Sequence, residues 1–410
     1  MHFHFSFYSS ILLIFFSQGI IFSFLLFKKG ITYSIYPDKW LGLFILLCSL
    51  YLLPWMLGFA GWYSLQPYRD IMFYIPFQQL LLIGPCIYFY TQSLLNPAFR
   101  FKRKDWLHLT PAFAYLFYRL IIFITDKILL NQYYFYENGK DKNLDTWYQL
   151  AGFLSMVLYF SLSLRYYATY KKIIFQTLSF ANNLLFIWIK KYLVAFLLMQ
   201  VLWLLFFLFY PDWGNFKEKW WYYLSFSSLM YYIGITGYAS KIKSLISFKL
   251  SSVENKSVFL LQNTTPDLPI TEEIALEETS NDAANPEIEE WKIKISQLLE
   301  KERSYENPNL TLQDIARKLN TNQTVISKMV NQGFKMNFND FINSYRIEAI
   351  IDLFKKEEHK KQTILGISID CGFNSKTTFN RCFKKQTGLS PKEYLEKLPK
   401  KQPKPEDFKE

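Results

Sequence analysis

The chain has 410 residues, of which 51% are hydrophobic, 20% aromatic and only 20% charged, and it carries a net charge of +12. That length holds two or three ordinary domains, so one fold serving one function is not expected. The averages hide two unlike halves: almost unbroken apolar runs to about residue 245, then a polar, Lys-rich remainder. Excess positive charge points to an anionic partner, lipid headgroups or nucleic acid, and its location must decide between them. The four cysteines, Cys48, Cys86, Cys371 and Cys382, show no CxxC spacing, which argues against a disulfide framework or a zinc site.

Seven stretches are apolar enough to be read as membrane-crossing helices: Tyr8 to Phe27, Trp40 to Ala60, Ile71 to Thr91, Trp106 to Thr125, Trp147 to Tyr166, Tyr192 to Tyr210 and Trp220 to Tyr238. Trp and Tyr mark many of their edges, where an amphipathic ring prefers the headgroup layer. Pro76, Pro85 and Pro111 make the third and fourth the weakest, with kinks expected. Lys28, Lys29 and Lys39, then Arg100 to Lys104, then Lys171, Lys172, Lys190 and Lys191 fall in alternate loops, and Lys241, Lys243 and Lys249 follow the last stretch. Basic short loops stay cytoplasmic, which places the N-terminus outside and the C-terminus inside a bacterial cytoplasmic membrane. The first run lacks a preceding basic segment and is too long for a signal-peptide core, so it reads as a retained span.

Polar groups inside such spans are costly unless they face a cavity or a partner, which makes Arg119 and Gln200 candidates for sensing an unknown small molecule or membrane state. For Arg119, snorkelling to the outer interface is the competing reading. Gln78, Gln79 and Gln92 carry a weaker version of the same signal, and the aromatic loop Tyr133 to Tyr136 suits either a ligand or the membrane surface.

From about residue 246 to 287 the composition becomes proline-containing and acidic, with Glu272, Glu273, Glu277, Glu278, Asp282 and Glu287, which predicts an extended or disordered cytoplasmic linker. Amphipathic patterns follow. Trp291, Ile295, Leu298 and Leu299 share a helical face. Thr311 can cap a helix in which Asp314 returns the bond, with Leu312, Ile315, Ala316 and Leu319 facing inward. Asn320-Thr321-Asn322 breaks the chain before a second helix, Gln323 to Asn331, that Gly333 is expected to close in a left-handed conformation. Helix, short turn and helix with a small residue at the crossing is the helix-turn-helix pattern.

The pattern recurs in Thr363 to Cys371, with Ser368 in the place of Ala316, then the turn Gly372-Phe373, then a helix capped by Asn374 or Ser375. Phe338 to Phe354 is long enough to be one connecting helix of about 25 Å, which would set the two second helices about one DNA turn apart. The run Ile364 to Phe383, followed by Thr387-Gly388-Leu389-Ser390-Pro391 and preceded by Tyr345-Arg346-Ile347, resembles the signature of AraC/XylS-type regulators. Ser368 and Val330 depart from that pattern without touching DNA-facing positions. Seven spans joined to such a domain is similar to a group of membrane-bound bacterial sensors.

The resemblance implies double-stranded DNA as partner and base-facing residues at Thr324, Ser327 and Lys328 in the first unit and Lys376, Thr377, Thr378 and Arg381 in the second. Lys and Arg can donate to guanine, and the Thr methyl can touch thymine. Lys335, Lys384 and Lys385 suit phosphate. Over Trp291 to Glu410 there are 23 Lys and Arg against 15 Asp and Glu, a balance that favours a polyanion.

The expectation is therefore an all-α chain: a seven-helix bundle over 1–245, a disordered acidic linker over 246–287 and a double helix-turn-helix over 288–410. It couples a membrane or extracytoplasmic signal to DNA binding, with homodimerisation favoured by two-site operators. The alternative is a transporter or membrane enzyme carrying an autoregulatory DNA-binding domain. Against that stand missing enzyme motifs, scattered histidines and no intramembrane carboxylates, so no catalytic residue, metal or cofactor is expected.

Overall fold

The computed structural model describes residues 5–136, 144–181, 187–209, 217–240, 248–253, 256–262, 271–275 and 286–398. It falls into two units: Met1–Ala168 with Phe186–Ser247, and Thr169–Leu185 with Phe248–Glu410.

The first unit is built from α1 (Phe7–Thr32), α2 (Tyr36–Phe59), α3 (Tyr68–Tyr74), α4 (Leu80–Leu95), α5 (Thr110–Phe123), most of α6 (Leu144–Thr177), α7 (Ile187–Phe209) and α8 (Lys219–Ala239). Its helices cross on small residues. A methyl group on Gly19 would stand 2.9 Å from Met230 Cε, and one on Gly84 would stand 2.8 Å from Tyr159 Cδ2. At the α1–α2 crossing Ser23 Oγ donates to the Gly42 carbonyl at 2.9 Å. Large apolar side chains such as Ile14, Ile21 and Phe24 on α1, Leu154 and Leu158 on α6, and Leu205 and Leu208 on α7 point outward. Small residues inside and large apolar ones outside is the arrangement that close backbone packing requires when the surroundings are themselves apolar.

Among the described residues, four helices are long and apolar enough to cross a membrane, within Phe7–Thr32, Tyr36–Phe59, Trp147–Thr177 and Ile189–Phe206. The expected third crossing is two helices: Pro76 lacks an N–H and holds Ile75 extended (φ −78°, ψ 120°), which ends α3 before α4 begins. The expected fourth starts as a 3₁₀ turn at Arg103–His108, continues as α5 and finishes as a π-helical stretch, Ile124–Leu129.

In the second unit the linker expected to be disordered contains, among its described residues, three antiparallel strands in the order β1-β2-β3: β1 (Phe248–Val253), β2 (Lys256–Gln262) and β3 (Thr271–Ala275). Phe248 pairs with Leu261, and Val258 with Ala275. Among the prolines and acidic residues lies the run Val258-Phe259-Leu260-Leu261, whose apolar, β-favouring residue types suit a strand. The all-α expectation fails at this point. The other expected linker residues, including Glu277, Glu278 and Asp282, lie outside the described residues.

Beyond the strands come α9 (Pro286–Glu302), α10 (Leu312–Lys318), α11 (Gln323–Gly333), α12 (Phe338–Lys355), α13 (Ile364–Asp370), α14 (Lys376–Thr387) and α15 (Pro391–Lys397). Two apolar cores share α12. The first joins Ile295, Leu299, Leu312, Ile315, Ala316, Ile326, Met329 and Val330 to Phe338, Phe341 and Ile342. The second joins Ile367, Phe373, Phe379 and Phe383 to Ile347, Ile350 and Phe354. Gly333 is the last residue of α11 rather than a left-handed cap; its role is close approach, since a methyl there would stand 2.8 Å from Lys292 Cγ on α9.

Two other glycines do adopt left-handed backbone, Gly372 at φ +92° and Gly388 at φ +78°. They separate two costs. A methyl on Gly388 meets nothing within 4 Å, whereas one on Gly372 would stand 2.5 Å from the Tyr305 carbonyl and 2.9 Å from Arg346 Nε. Gly388→Ala should therefore cost only the left-handed penalty, about 1 kcal/mol. Gly372→Ala adds overpacking against main chain and should cost about 3 kcal/mol. Denaturant unfolding of both variants checks this, and equal losses would refute the close-contact argument.

Candidate nucleic-acid interface

Each short helix of the second unit begins on a side chain that satisfies its first amides. Thr311 Oγ1 accepts from Asp314 N at 3.2 Å while Asp314 Oδ2 accepts from Thr311 N at 2.9 Å, the reciprocal cap expected from sequence. Asn322 Oδ1 accepts from Val325 N at 2.9 Å and so starts α11. Of the two candidate caps for α14, Ser375 takes the role, accepting from Thr378 N at 3.2 Å. Ala316 and Ser368 are both buried, each on the first helix of its helix-turn-helix pair, α10 and α13.

These caps aim the second helices. On α11 the inward face is Ile326, Met329 and Val330, which leaves Lys328 exposed and Thr324 half-buried. Ser327 is 5% exposed and accepts a hydrogen bond from Asn331, so its hydroxyl is not on the open face. Strand β3 lies alongside this helix. On α14 the inward face is Thr378, Phe379 and Phe383, which leaves Lys376, Thr377, Arg381, Lys384 and Lys385 exposed. Thr378 is buried and belongs to the cap, where Ser375 Oγ donates to its hydroxyl at 2.9 Å.

The phosphate candidates differ in the same way. Lys335 is exposed just beyond α11, on a left-handed backbone of φ +53°. Lys384 is exposed near the end of α14. Lys385 Nζ, by contrast, lies 2.8 Å from Asp340 Oδ2 and ties α14 to the first turn of α12. One residue on the open face was passed over: Asn380 is exposed, three positions after Thr377 and four before Lys384 on the same helical stripe. Counting by three and four from Thr377 would have found it. Its amide can hold both the donor and the acceptor on an adenine edge.

Arg346, within Tyr345-Arg346-Ile347, is the largest fully buried side chain in the chain's described residues. Its Nε donates to the Tyr305 carbonyl at 2.7 Å and its Nη2 to the Asn307 carbonyl at 2.8 Å. The guanidinium also lies 5.7 Å from the centre of the Phe373 ring. Burial pushes its pKa down to about 10, which leaves it protonated at neutral pH.

The sensing candidates belong to the first unit. Arg119 donates to the Phe73 carbonyl and lies 5.5 Å from the centre of the Tyr136 ring, beside a fully buried Asp126 that accepts from Tyr74 Oη at 3.0 Å. Its guanidinium is held within this cluster. Gln200 is 6% exposed; its Nε2 reaches Met156 Sδ at 3.3 Å while its Oε1 has no partner, in a small cavity walled by Phe44, Tyr51, Trp203 and Tyr222.

Comparison with known proteins places these features in a family of domains. Residues 315–397 match a helix-turn-helix domain family. A stretch of 102 residues, 25% of this chain, is 29% identical to an uncharacterized HTH-type transcriptional regulator of Staphylococcus aureus (strain COL). The match spans only 13% of that protein's length. No solved structure matches. The carboxyl-terminal part of the chain carries an AraC-type helix-turn-helix domain.

Proposed function

We propose that the chain is a membrane-bound transcription regulator whose carboxyl-terminal double helix-turn-helix binds DNA in response to a signal met by its amino-terminal helices. The observation that carries the DNA reading is the open stripe of α14, where Lys376, Thr377, Asn380, Arg381 and Lys384 stand on one exposed side of a helix whose other side is core. Lys376, Asn380 and Arg381 have the donor geometry for base edges in a major groove, and Lys384 that for phosphate. On α11 the corresponding group is Lys328 with Thr324.

The membrane reading rests on four helices of sufficient length and apolarity. The alternation of basic loops requires an odd number of crossings. α4, the stretch from Trp106 to Thr125 that contains α5, and the 21-residue, Tyr- and Ser-rich α8 supply three more, for seven in all. This topology puts the N-terminus outside and the DNA-binding unit in the cytoplasm. A second copy of the chain would place two domains on one operator at raised effective concentration.

Two outcomes follow. Duplexes selected from random sequence on the full chain in lipid nanodiscs should lose affinity about 5- to 150-fold with Arg381→Ala, the range of one base contact. Lys384→Ala should instead weaken all duplexes alike and flatten the salt dependence by about one unit of slope. Full-length protein that selects no sequence overturns the DNA reading. Independently, a cytoplasm-dependent reporter fused after Ser240 should be active and one fused after Trp62 inactive; the reverse pattern overturns the topology.

A further inference from the structure

The residues that follow α6 are remote in sequence from the helix-turn-helix domain, yet they pack within the same unit. Ser179 N donates to the Leu310 carbonyl at 3.1 Å, and Leu178 pairs antiparallel with Thr311, the cap of α10. Asn339, in the first turn of α12 and fully buried, donates to the Leu178 carbonyl at 3.3 Å and to the Ser179 carbonyl at 2.6 Å. Arg346 Nη2 donates to Ser179 Oγ at 3.1 Å. Thr177, Leu178, Ser179 and Ala181 are all buried.

Three features mark this as an occupied slot rather than a piece of the domain's own fold. First, the apolar core of the first helix-turn-helix is assembled from α9 to α12 and the turns between them, with none of the described residues of 169–181 in it. Second, the slot reads mainly backbone: one amide and two carbonyls of Leu178 and Ser179 are held, with a single hydroxyl added. Third, the groups that hold the segment are polar, the Asn339 amide, the Leu310 carbonyl and the Arg346 guanidinium, so water can replace it when it leaves. The Tyr305 and Asn307 carbonyls would still hold Arg346.

We propose that Thr177–Ala181 is a releasable latch, an internal peptide ligand of the DNA-binding unit, and that its seating weakens DNA binding. The inference rests on the DNA and membrane readings above. α6 begins in the first unit and its last residues, from Thr169, belong to the second, so the latch continues the chain of that helix. The first helix of a helix-turn-helix crosses the phosphate backbone when the second enters the groove. A segment laid along Leu310 and Thr311, at the start of α10, stands on the path of that backbone. Seating also gives Arg346 an acceptor outside the domain, so the latch reports to the joint between the two helix-turn-helix units. By linkage, whatever latch release contributes to DNA affinity, DNA contributes equally to latch release.

The test uses the full chain in nanodiscs. Antiparallel bridge partners have Cα separations within disulfide range, so Leu178→Cys with Thr311→Cys should close an internal disulfide on mild oxidation, mapped by peptide mass spectrometry, and neither single variant should. The oxidised double variant should bind its selected duplex at least about tenfold more weakly than the same sample after reduction, and saturating duplex should slow the closure. Leu178→Asp, which ejects the latch without a new bond, should bind at least as tightly as the unmodified chain. Equal affinity before and after reduction, or tighter binding when oxidised, overturns the latch while leaving the DNA reading intact. No disulfide overturns the seating itself. Loss of DNA binding in the unmodified chain as well as in every variant overturns the DNA reading instead, and the inhibitory role with it.

Discussion

The carboxyl-terminal unit depends on one buried cation. Two apolar cores share α12, and each could pivot about it if nothing crossed between them. Arg346 crosses. It rises from α12, ties down the carbonyls of the turn that leads into the first helix-turn-helix, and presents its face to Phe373 at the turn of the second. Burying a guanidinium is costly unless its donors are satisfied, and planar, forked donors meet several carbonyls at once where an ammonium would not. Gly372 is the complement of that cation: only a residue without a side chain lets the turn close on both the Tyr305 carbonyl and the guanidinium.

Around this joint the exposed chemistry sorts itself. Residues that look equivalent in a list of polar side chains divide into those that hold the helices and those that face outward. Thr378 and Ser327 are used inward, and Lys385 is bound to Asp340. Lys328, Lys376, Arg381 and Lys384 remain exposed. Lys384 and Lys385 illustrate the division, since adjacent positions on a helix point about 100° apart and only one of them reaches across to α12.

The amino-terminal unit is packed differently. Close crossings fall at Gly19, Gly84 and Gly152, and its largest exposed side chains are aliphatic and aromatic. Its polar groups are gathered rather than scattered: Arg119 is in a cluster with Tyr136, Asp126 and Tyr74, while Gln200 keeps one oxygen unanswered among aromatic walls. Packing contacts replace the hydrophobic effect as the source of helix association where the surroundings are apolar.

By itself the amino-acid sequence determined much that depends on local periodicity and on helix starts. The apolar runs, the Thr311–Asp314 box, the break at Asn320 to Asn322, the connecting helix and the turn at Gly372 are all short-range signals, because helix starts and stops are written in residues three or four apart. It also held the stripe of α14, including Asn380, for a reader who counted. Only the tertiary structure decided the rest. Pro76 could have kinked a helix or ended one, and Gly333 could have been a cap or a contact point; neighbours settled both. The strands of the linker needed pairing partners that a charge count cannot see. Arg346 and the segment at Leu178 and Ser179 are far apart in the chain, and no periodicity connects residues whose only relation is that the fold buries them together.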